Sequence, residues 1–268
     1  MLSEDKVAEY RQKGFALGTR VLSDDEVEEL RSELDRVIRD YGRTDRPQPV
    51  RIVNLSGKAE APVWQIVNIW QASEPFRRLI FHPEIVCAAA QLSGAEELRV
   101  WHDQIQYKPA ETGGVNMWHQ DSPYWPILQP KDSQITAWVA LDDVDEENGC
   151  MSMVPGSHHW GVQIDFLHTL KDFDQMPSSF DGKVVTVVRC PVPKGWVHFH
   201  HPLTWHGSHS NRSGRPRRAI AIHYMTEQTR YDASGDHVMK PYVQVPDGSK
   251  LEGDAFPVVW SNGRVLNL

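Results

Sequence analysis

Apolar and polar positions keep a helical rhythm in the first third of the chain and then change to short alternating runs. Val27, Leu30, Leu34, Val37 and Ile38 recur three or four residues apart, behind Ser23-Asp24-Asp25-Glu26 and ahead of Gly42. A serine three residues before a glutamate is a helix-start signature, so a helix is predicted there. A shorter helix is predicted around Val7–Gln12, followed by a brief strand at Phe15-Ala16-Leu17. Residues 43–62, with Pro47, Pro49 and Pro62, read as loop. The apolar positions Phe76, Leu79, Ile80, Ile85, Val86 and Ala89 predict helix from about Pro75 to Leu92, broken in two by Pro83.

From Leu98 onward, Val-, Trp-, Ile- and Tyr-rich runs alternate with Gly, Pro and Asn, the pattern of an antiparallel sandwich or barrel. Strands are predicted at 98–108, 134–144, 150–154, 183–190, 196–201 and 217–226, with turns at Glu147-Asn148-Gly149 and Pro155-Gly156-Ser157. The expected organisation is a single domain over 1–268, with a helical part over about 1–97 and a β core over about 98–226. A C-terminal segment, 227–268, would lie over the core as a flap.

Composition narrows the class. A chain of 268 residues with 40% apolar and 24% charged residues is long enough for one large core and is not biased toward disorder. A net charge of −8 argues against a nucleic-acid partner or an acidic membrane surface. The amino-terminal residues are polar, and no apolar run approaches the roughly 18 residues of a membrane span. Cys87, Cys150 and Cys190 are odd in number and form no C-x-x-C pair, which suits a reducing compartment. The end, Val265-Leu266-Asn267-Leu268, is not a Ser-Lys-Leu address, so the cytoplasm is the expected location.

The candidate chemistry centres on His119-Gln120-Asp121. Alternate residues of a strand project to one face, so an imidazole and a carboxylate at this spacing can converge on one ion. His206, far downstream after several predicted strands, supplies a second imidazole. Two histidines and one carboxylate make the facial arrangement that binds iron(II) and leaves positions open, whereas a closed structural zinc site fills all four. His82-Pro83-Glu84 has the same spacing, but its proline and helical setting make it structural. Arg217 and Arg218 open the strand 217–226, and a guanidinium is suited to gripping a carboxylate bidentately. Alternation groups Arg217 with Ala219, Ala221 and His223, and Arg218 with Ile220, Ile222 and Tyr224. The pattern does not say which group faces the site.

Trp118-His119-Gln120-Asp121, Glu147-Asn148-Gly149-Cys150, Val154-Pro155-Gly156-Ser157-His158 and His206-Gly207-Ser208 with Asn211 and Pro216-Arg217 resemble, in order and spacing, the motifs of the phytanoyl-CoA dioxygenase family. The resemblance runs through roughly residues 98–226. It implies a mainly β double-stranded β-helix, or jelly roll, with flanking helices, and an Fe(II)- and 2-oxoglutarate-dependent dioxygenase. His119, Asp121 and His206 would hold the metal. Arg217, eleven residues after the second histidine, and Ser208 would hold the far carboxylate of 2-oxoglutarate. Gln104, Lys108, Gln120 and Trp138 match further cosubstrate contacts in spacing. With O2, such an enzyme hydroxylates a small organic molecule and releases succinate and CO2.

Several residues carry a second reading. Gln104, Gln106 and Lys108 share one strand face, which reads as a lined pocket or, for Gln106 equally, as a solvated edge. His198 and His200 could join His206 in a zinc or cupin-like hydrolase or isomerase, and a non-catalytic binding relative is a third class. His158, His159, His201 and His209 read as packing or hydrogen-bonding residues. Trp118, Tyr124 and Trp125 line either a substrate pocket or the core. The acidic run Asp142, Asp143, Asp145, Glu146 and Glu147 reads as a solvated loop.

Overall fold

The computed structural model describes residues 1–266, so the last two residues of the C-terminal tetrapeptide and of the 227–268 segment lie outside the described ones. The chain opens with α1 (Glu4–Lys13), β1 (Phe15–Arg20) and α2 (Asp24–Arg39). Ser23 and Glu26 form the reciprocal cap predicted for α2: the Glu26 carboxylate accepts from Ser23 N at 2.8 Å and Ser23 Oγ accepts from Glu26 N. β2 (Arg51–Asn54) and β3 (Trp64–Val67) then pair as a hairpin. β2 falls inside the stretch expected to be loop, because Asn54 Oδ1 accepts from Ser56 N and Val63 N and closes the connection that the prolines obscured. α3 (Glu74–Ile80) and α4 (Pro83–Ser93) are the two halves of the predicted helix, with Pro83 starting the second.

The β-rich part contains β4 (Glu97–Lys108), β5 (Asn116–His119), β6 (Leu128–Gln129), β7 (Gln134–Ala140) and β8 (Met151–Met153). An excursion with α5 (Ile164–Leu167), β9 (Ser179–Phe180) and β10 (Lys183–Val184) follows. β11 (Val188–Cys190), β12 (Trp196–His200), β13 (His206–Ser208) and β14 (Arg217–Thr226) complete it, and β15 (Arg230–Tyr231), β16 (Val258–Ser261) and β17 (Arg264–Val265) end the chain. Two predicted strands are shorter than expected. The one at 134–144 stops at Ala140, because the Asp142 carboxylate is drawn to Arg31 and Arg218. The one at 183–190 is two pieces, since Val185 N turns aside to Ser178 O.

The strands form two principal antiparallel sheets, the arrangement of a jelly roll. The larger has nine strands in the order β1-β12-β7-β14-β4-β16-β17, with β3 also on β4 and β2 on β3; the smaller is β11-β8-β13-β5. The N-terminal third is therefore not only helical, since β1, β2 and β3 join the large sheet. One face of that sheet carries Ile135, Ala137, Val139, Ile220, Ile222 and Tyr224, packed with Leu30, Leu34, Phe76 and Ile85 of the helices in the main apolar cluster. The other face carries Thr136, Trp138, Arg217, Ala221 and His223. Period-two alternation thus gives β7 and β14 an apolar side against helices and a side toward the small sheet where these polar groups sit beside an apolar cluster of Trp138, Ala219 and Ala221 with Met151 and Met153. This assigns the two arginines: Arg217 is inside, while Arg218 reaches Asp142 through Nη2 at 2.8 Å and Nε at 3.0 Å.

Candidate active site

β13 lies between β8 and β5 in the small sheet, with His206 directly opposite His119. That register brings together two residues far apart in sequence. Asp121 reaches them by a route the strand argument missed: β5 ends at His119, and Asp121 has helical backbone angles at the start of a short 3-10 turn, Ser122–Tyr124. Pro123 sits in that turn and Asp121 N donates to Pro202 O, so the chain leaves the strand there. Convergence of the carboxylate therefore comes from a bend after the strand, not from shared strand parity.

The convergence is atom-specific. Asp121 Oδ1 lies 3.4 Å from His206 Nε2 and 3.7 Å from His119 Nε2. These three side chains are the group with ligand atoms all within 4.8 Å of one another, the one such group among the described residues. Each imidazole is oriented through its other nitrogen: His119 Nδ1 donates to Met117 O at 2.7 Å and His206 Nδ1 to Thr204 O at 2.9 Å. Such donation fixes the tautomer that leaves Nε2 as an electron-pair donor. The other carboxylate oxygen, Oδ2, accepts from His200 Nε2 at 3.0 Å and Thr136 Oγ1 at 3.1 Å, and Thr136 Oγ1 accepts from His223 Nδ1 at 2.8 Å. Burial alone would raise the Asp121 pKa, yet the neighbouring histidines hold it well below the usual carboxylate range. Burial drives His119 down to about 3, leaving its imidazole neutral.

A narrow niche between the sheets runs from this cluster to Arg217. Arg217 is 1% exposed, its Nη2 donates to Ser208 Oγ at 3.1 Å, and its guanidinium lies 5.6 Å from the centre of the Trp138 ring. Its Nε and Nη1 are buried without a partner among the described residues. Burial lowers this guanidinium to about 10, and an uncompensated buried cation is costly, so the niche is built for an anion. Ser208 Oγ already accepts from Arg217 and from Lys108 Nζ, at 2.7 Å, leaving its hydroxyl hydrogen to donate. These features fit a carboxylate at one end of the niche and a metal at the other.

The remaining residues singled out in the sequence divide. Trp138 and Gln104 line the niche, and so does Gln106, which is not a solvated edge. Lys108 is fully buried but lies behind Ser208, its ammonium spent on Ser208 Oγ, Ser208 O and His209 O, so it does not line the niche. Gln120 turns away entirely. Its Nε2 donates to Leu203 O and Gly161 O and its Oε1 accepts from Gln163 N, so the amide staples surrounding loops, and a direct cosubstrate contact is not what the structure gives it. The three-histidine alternative is not assembled, because His200 serves Asp121 and His198 stacks on Phe15 at 5.8 Å. Asp142 is not in a solvated loop; it is buried between Arg31 and Arg218. Sequence reading gave no site role to Thr136, to His223, which it only grouped with Arg217, or to Asn116, which also lines the niche. Thr136 shares parity with Trp138, and His223 with Arg217, so alternation carried the signal once one inward residue was known.

Beyond the metal-facing atoms, a cavity of about 620 Å³ opens to solvent, with His119 and Asp121 at its base. Trp118, Tyr124 and Trp125 line it, and so do Leu167, His168 and Leu170 of the excursion after β8 and His237 and Val238 of the C-terminal segment. Met239, Leu251 and Phe256 anchor that segment in an apolar cluster with Trp101 and Trp125.

Comparison with known proteins agrees with this geometry. The family model described as "Phytanoyl-CoA dioxygenase (PhyH)" matches residues 10–219. The peroxisomal phytanoyl-CoA dioxygenase of Bos taurus is 27% identical over 249 residues, covering 86% of this chain and 71% of that protein. Among solved structures, the non-heme alpha ketoglutarate dependent carbocyclase SnoK from nogalamycin biosynthesis superposes with a TM-score of 0.80 at 30% identity, covering 96% of each chain. The epimerase SnoN, in complex with Fe3+, alpha ketoglutarate and nogalamycin RO, does so with a TM-score of 0.73 at 26% identity, covering 95% of this chain and 97% of that one.

Proposed function

We infer that this chain, which belongs to the phytanoyl-CoA dioxygenase family, holds iron(II) with His119, Asp121 and His206 and the far carboxylate of 2-oxoglutarate with Arg217 and Ser208. It is an iron- and 2-oxoglutarate-dependent dioxygenase. The observation that carries the residue assignments is a single niche with two imidazole nitrogens and a carboxylate oxygen at one end and, at the other, a buried guanidinium whose Nε and Nη1 have no partner among the described residues. With O2, the bound iron and keto acid supply oxidative decarboxylation to succinate and CO2 and the oxidising power to break a substrate C–H bond.

The chain's own residues orient and shield. His200 and Thr136 hold Asp121 Oδ2, which leaves Oδ1 for the metal, and the carbonyls of Met117 and Thr204 aim the two imidazoles. Arg217 and Ser208 would hold the cosubstrate's far carboxylate and so orient it along the niche. We read the outcome as hydroxylation of a small organic molecule bound in the adjoining cavity. Among the described residues no helix is long and apolar enough to cross a membrane. Three free cysteines support a cytoplasmic location.

Elemental analysis paired with succinate formation from 2-oxoglutarate tests the reading. Iron-dependent succinate release that is lost in His206→Ala is the expected result. A protein that keeps zinc and makes no succinate, or a His206→Ala variant with undiminished turnover, overturns it.

A further inference from the structure

The cavity over the metal-facing atoms is lined by two unlike groups of side chains. In one, carboxamides of β3 and β4 in the large sheet and β5 in the small sheet are paired: Gln65 Nε2 donates to Gln104 Oε1 at 2.7 Å and Asn116 Nδ2 to Gln106 Oε1 at 2.8 Å. The amino groups of Gln104 and Gln106 and the carbonyl of Asn116 have no partner among the described residues, and all three side chains line the cavity. This group therefore presents neutral donors and an acceptor. Exposed apolar side chains line the same cavity: Leu55 is 46%, Val115 38% and Met117 37% exposed.

The lining carries little fixed charge. Arg51 is its one arginine or lysine, lies at the exposed mouth, and donates to Gln65 Oε1 at 3.2 Å. His102 and His237 at the back are kept neutral by burial, His237 at about 4. An acyl thioester of coenzyme A would bring several phosphate charges to a surface without a basic cluster, on a chain of net charge −8. A free amino acid would leave most of about 620 Å³ empty, whereas pockets of roughly 300–1,000 Å³ suit drug-sized ligands.

We propose that the cavity takes an uncharged, multi-ring molecule with carbonyl or hydroxyl oxygens along one edge, bound with that edge on Gln104, Gln106 and Asn116 and its apolar body on Leu55, Val115 and Met117. Its role as substrate rests on the oxygenase reading of the adjoining niche, because His119 and Asp121 form the cavity floor.

Calorimetric titration of the metal-free protein with a dihydroxyanthraquinone, palmitoyl-CoA and L-proline tests this without any turnover. The dihydroxyanthraquinone is expected to bind at least about tenfold more tightly than either other probe. Gln106→Leu should weaken it by roughly three- to tenfold through one lost hydrogen bond, and Met117→Asp should weaken it through the apolar face, with both variants melting as cooperatively as the parent. Tightest binding of palmitoyl-CoA or L-proline, no heat with any probe, or unchanged affinity in both folded variants overturns the proposal. Loss of succinate formation with probe binding intact would instead sink the oxygenase reading alone.

Discussion

Arg217 and Arg218 are adjacent in sequence, chemically identical, and separated in role by strand parity alone. Arg217 faces the niche with Nε and Nη1 lacking a partner among the described residues, while Arg218 is held through Nε and Nη2 by Asp142, which also accepts from Arg31. Removing one side of a buried charged pair costs about 2–5 kcal/mol. Arg217→Ala is therefore expected to raise the 2-oxoglutarate KM between roughly thirtyfold and a few thousandfold, with metal affinity nearly unchanged. Arg218→Ala should leave that KM alone. It should instead lower stability by about 2 kcal/mol for the charged hydrogen bonds lost, or roughly 4–8 °C in Tm for a chain of this size. Cosubstrate titration and thermal melts of the two variants decide it, and equal KM effects would refute the parity assignment. The same scale shows what the sequence hid. His119, Asp121 and His206 were legible as residue types in a spacing, but Gln120, within that very motif, spends its amide on loop backbone. Spacing says which residues are near a site; it does not say which way a side chain turns after the strand has ended.

At the scale of elements, the site depends on how closely β13 and β5 approach. Gly207 follows His206 on β13 and faces β5 closely: a Cβ there would meet Asn116 O and Phe173 Cε2 at 2.8 Å each. Backbone oxygen cannot swing aside as a side chain can, so Gly207→Ala must push β5 away from β13, and His119 moves with β5. Overpacking of this kind costs typically about 1–3 kcal/mol. The expected result is a folded protein whose Tm falls by no more than about 12 °C but whose affinity for a redox-stable divalent ion such as Co(II) drops by about tenfold or more, as when supporting contacts of a metal site are lost. A lowered Tm with unaltered Co(II) affinity would mean that strand spacing does not set the ligand geometry. Elements were legible where local chemistry is strong. The Ser23–Glu26 cap, the break at Pro83 and the strand 217–226 stand where periodicity and turn residues put them. The hairpin of β2 and β3 was illegible because its closure is an Asn54 side chain accepting backbone hydrogens, within a proline-rich stretch. β16 was equally hidden, since what makes it a strand is a long-range partner, β4, and not its own pattern.

At the scale of the whole molecule, the jelly roll stores its polar groups between two sheets, and many of them are imidazoles. Away from the metal-facing residues, burial holds His198 and His201 at about 3 and His158 and His237 at about 4. They are dispersed: His198 stacks on Phe15, His158 and His201 meet near α1, and His237 lies against Trp101 in the C-terminal segment. Each is neutral when folded and has an ordinary histidine pKa near 6.5 when unfolded. Below that pH the unfolded chain binds protons that the folded chain refuses, so stability is full above about pH 6.5 and falls as pH drops toward the folded values. Each such group removes about 1.4 kcal/mol per pH unit. Even two acting in full would remove nearly 3 kcal/mol per unit, against a total stability of roughly 5–15 kcal/mol. Asp121, held low, adds a loss of the same sign at still lower pH, while His206, raised by Asp121, opposes it. The metal-free protein should therefore lose Tm steeply between pH 6.5 and 4.5 and take up more than one proton on unfolding near pH 5.5. Calorimetry in chelator across that range, repeated in buffers of different ionisation enthalpy, measures both quantities. A Tm that is flat from pH 7 to 5, or unfolding without net proton uptake, would show that these imidazoles are not held neutral by the fold.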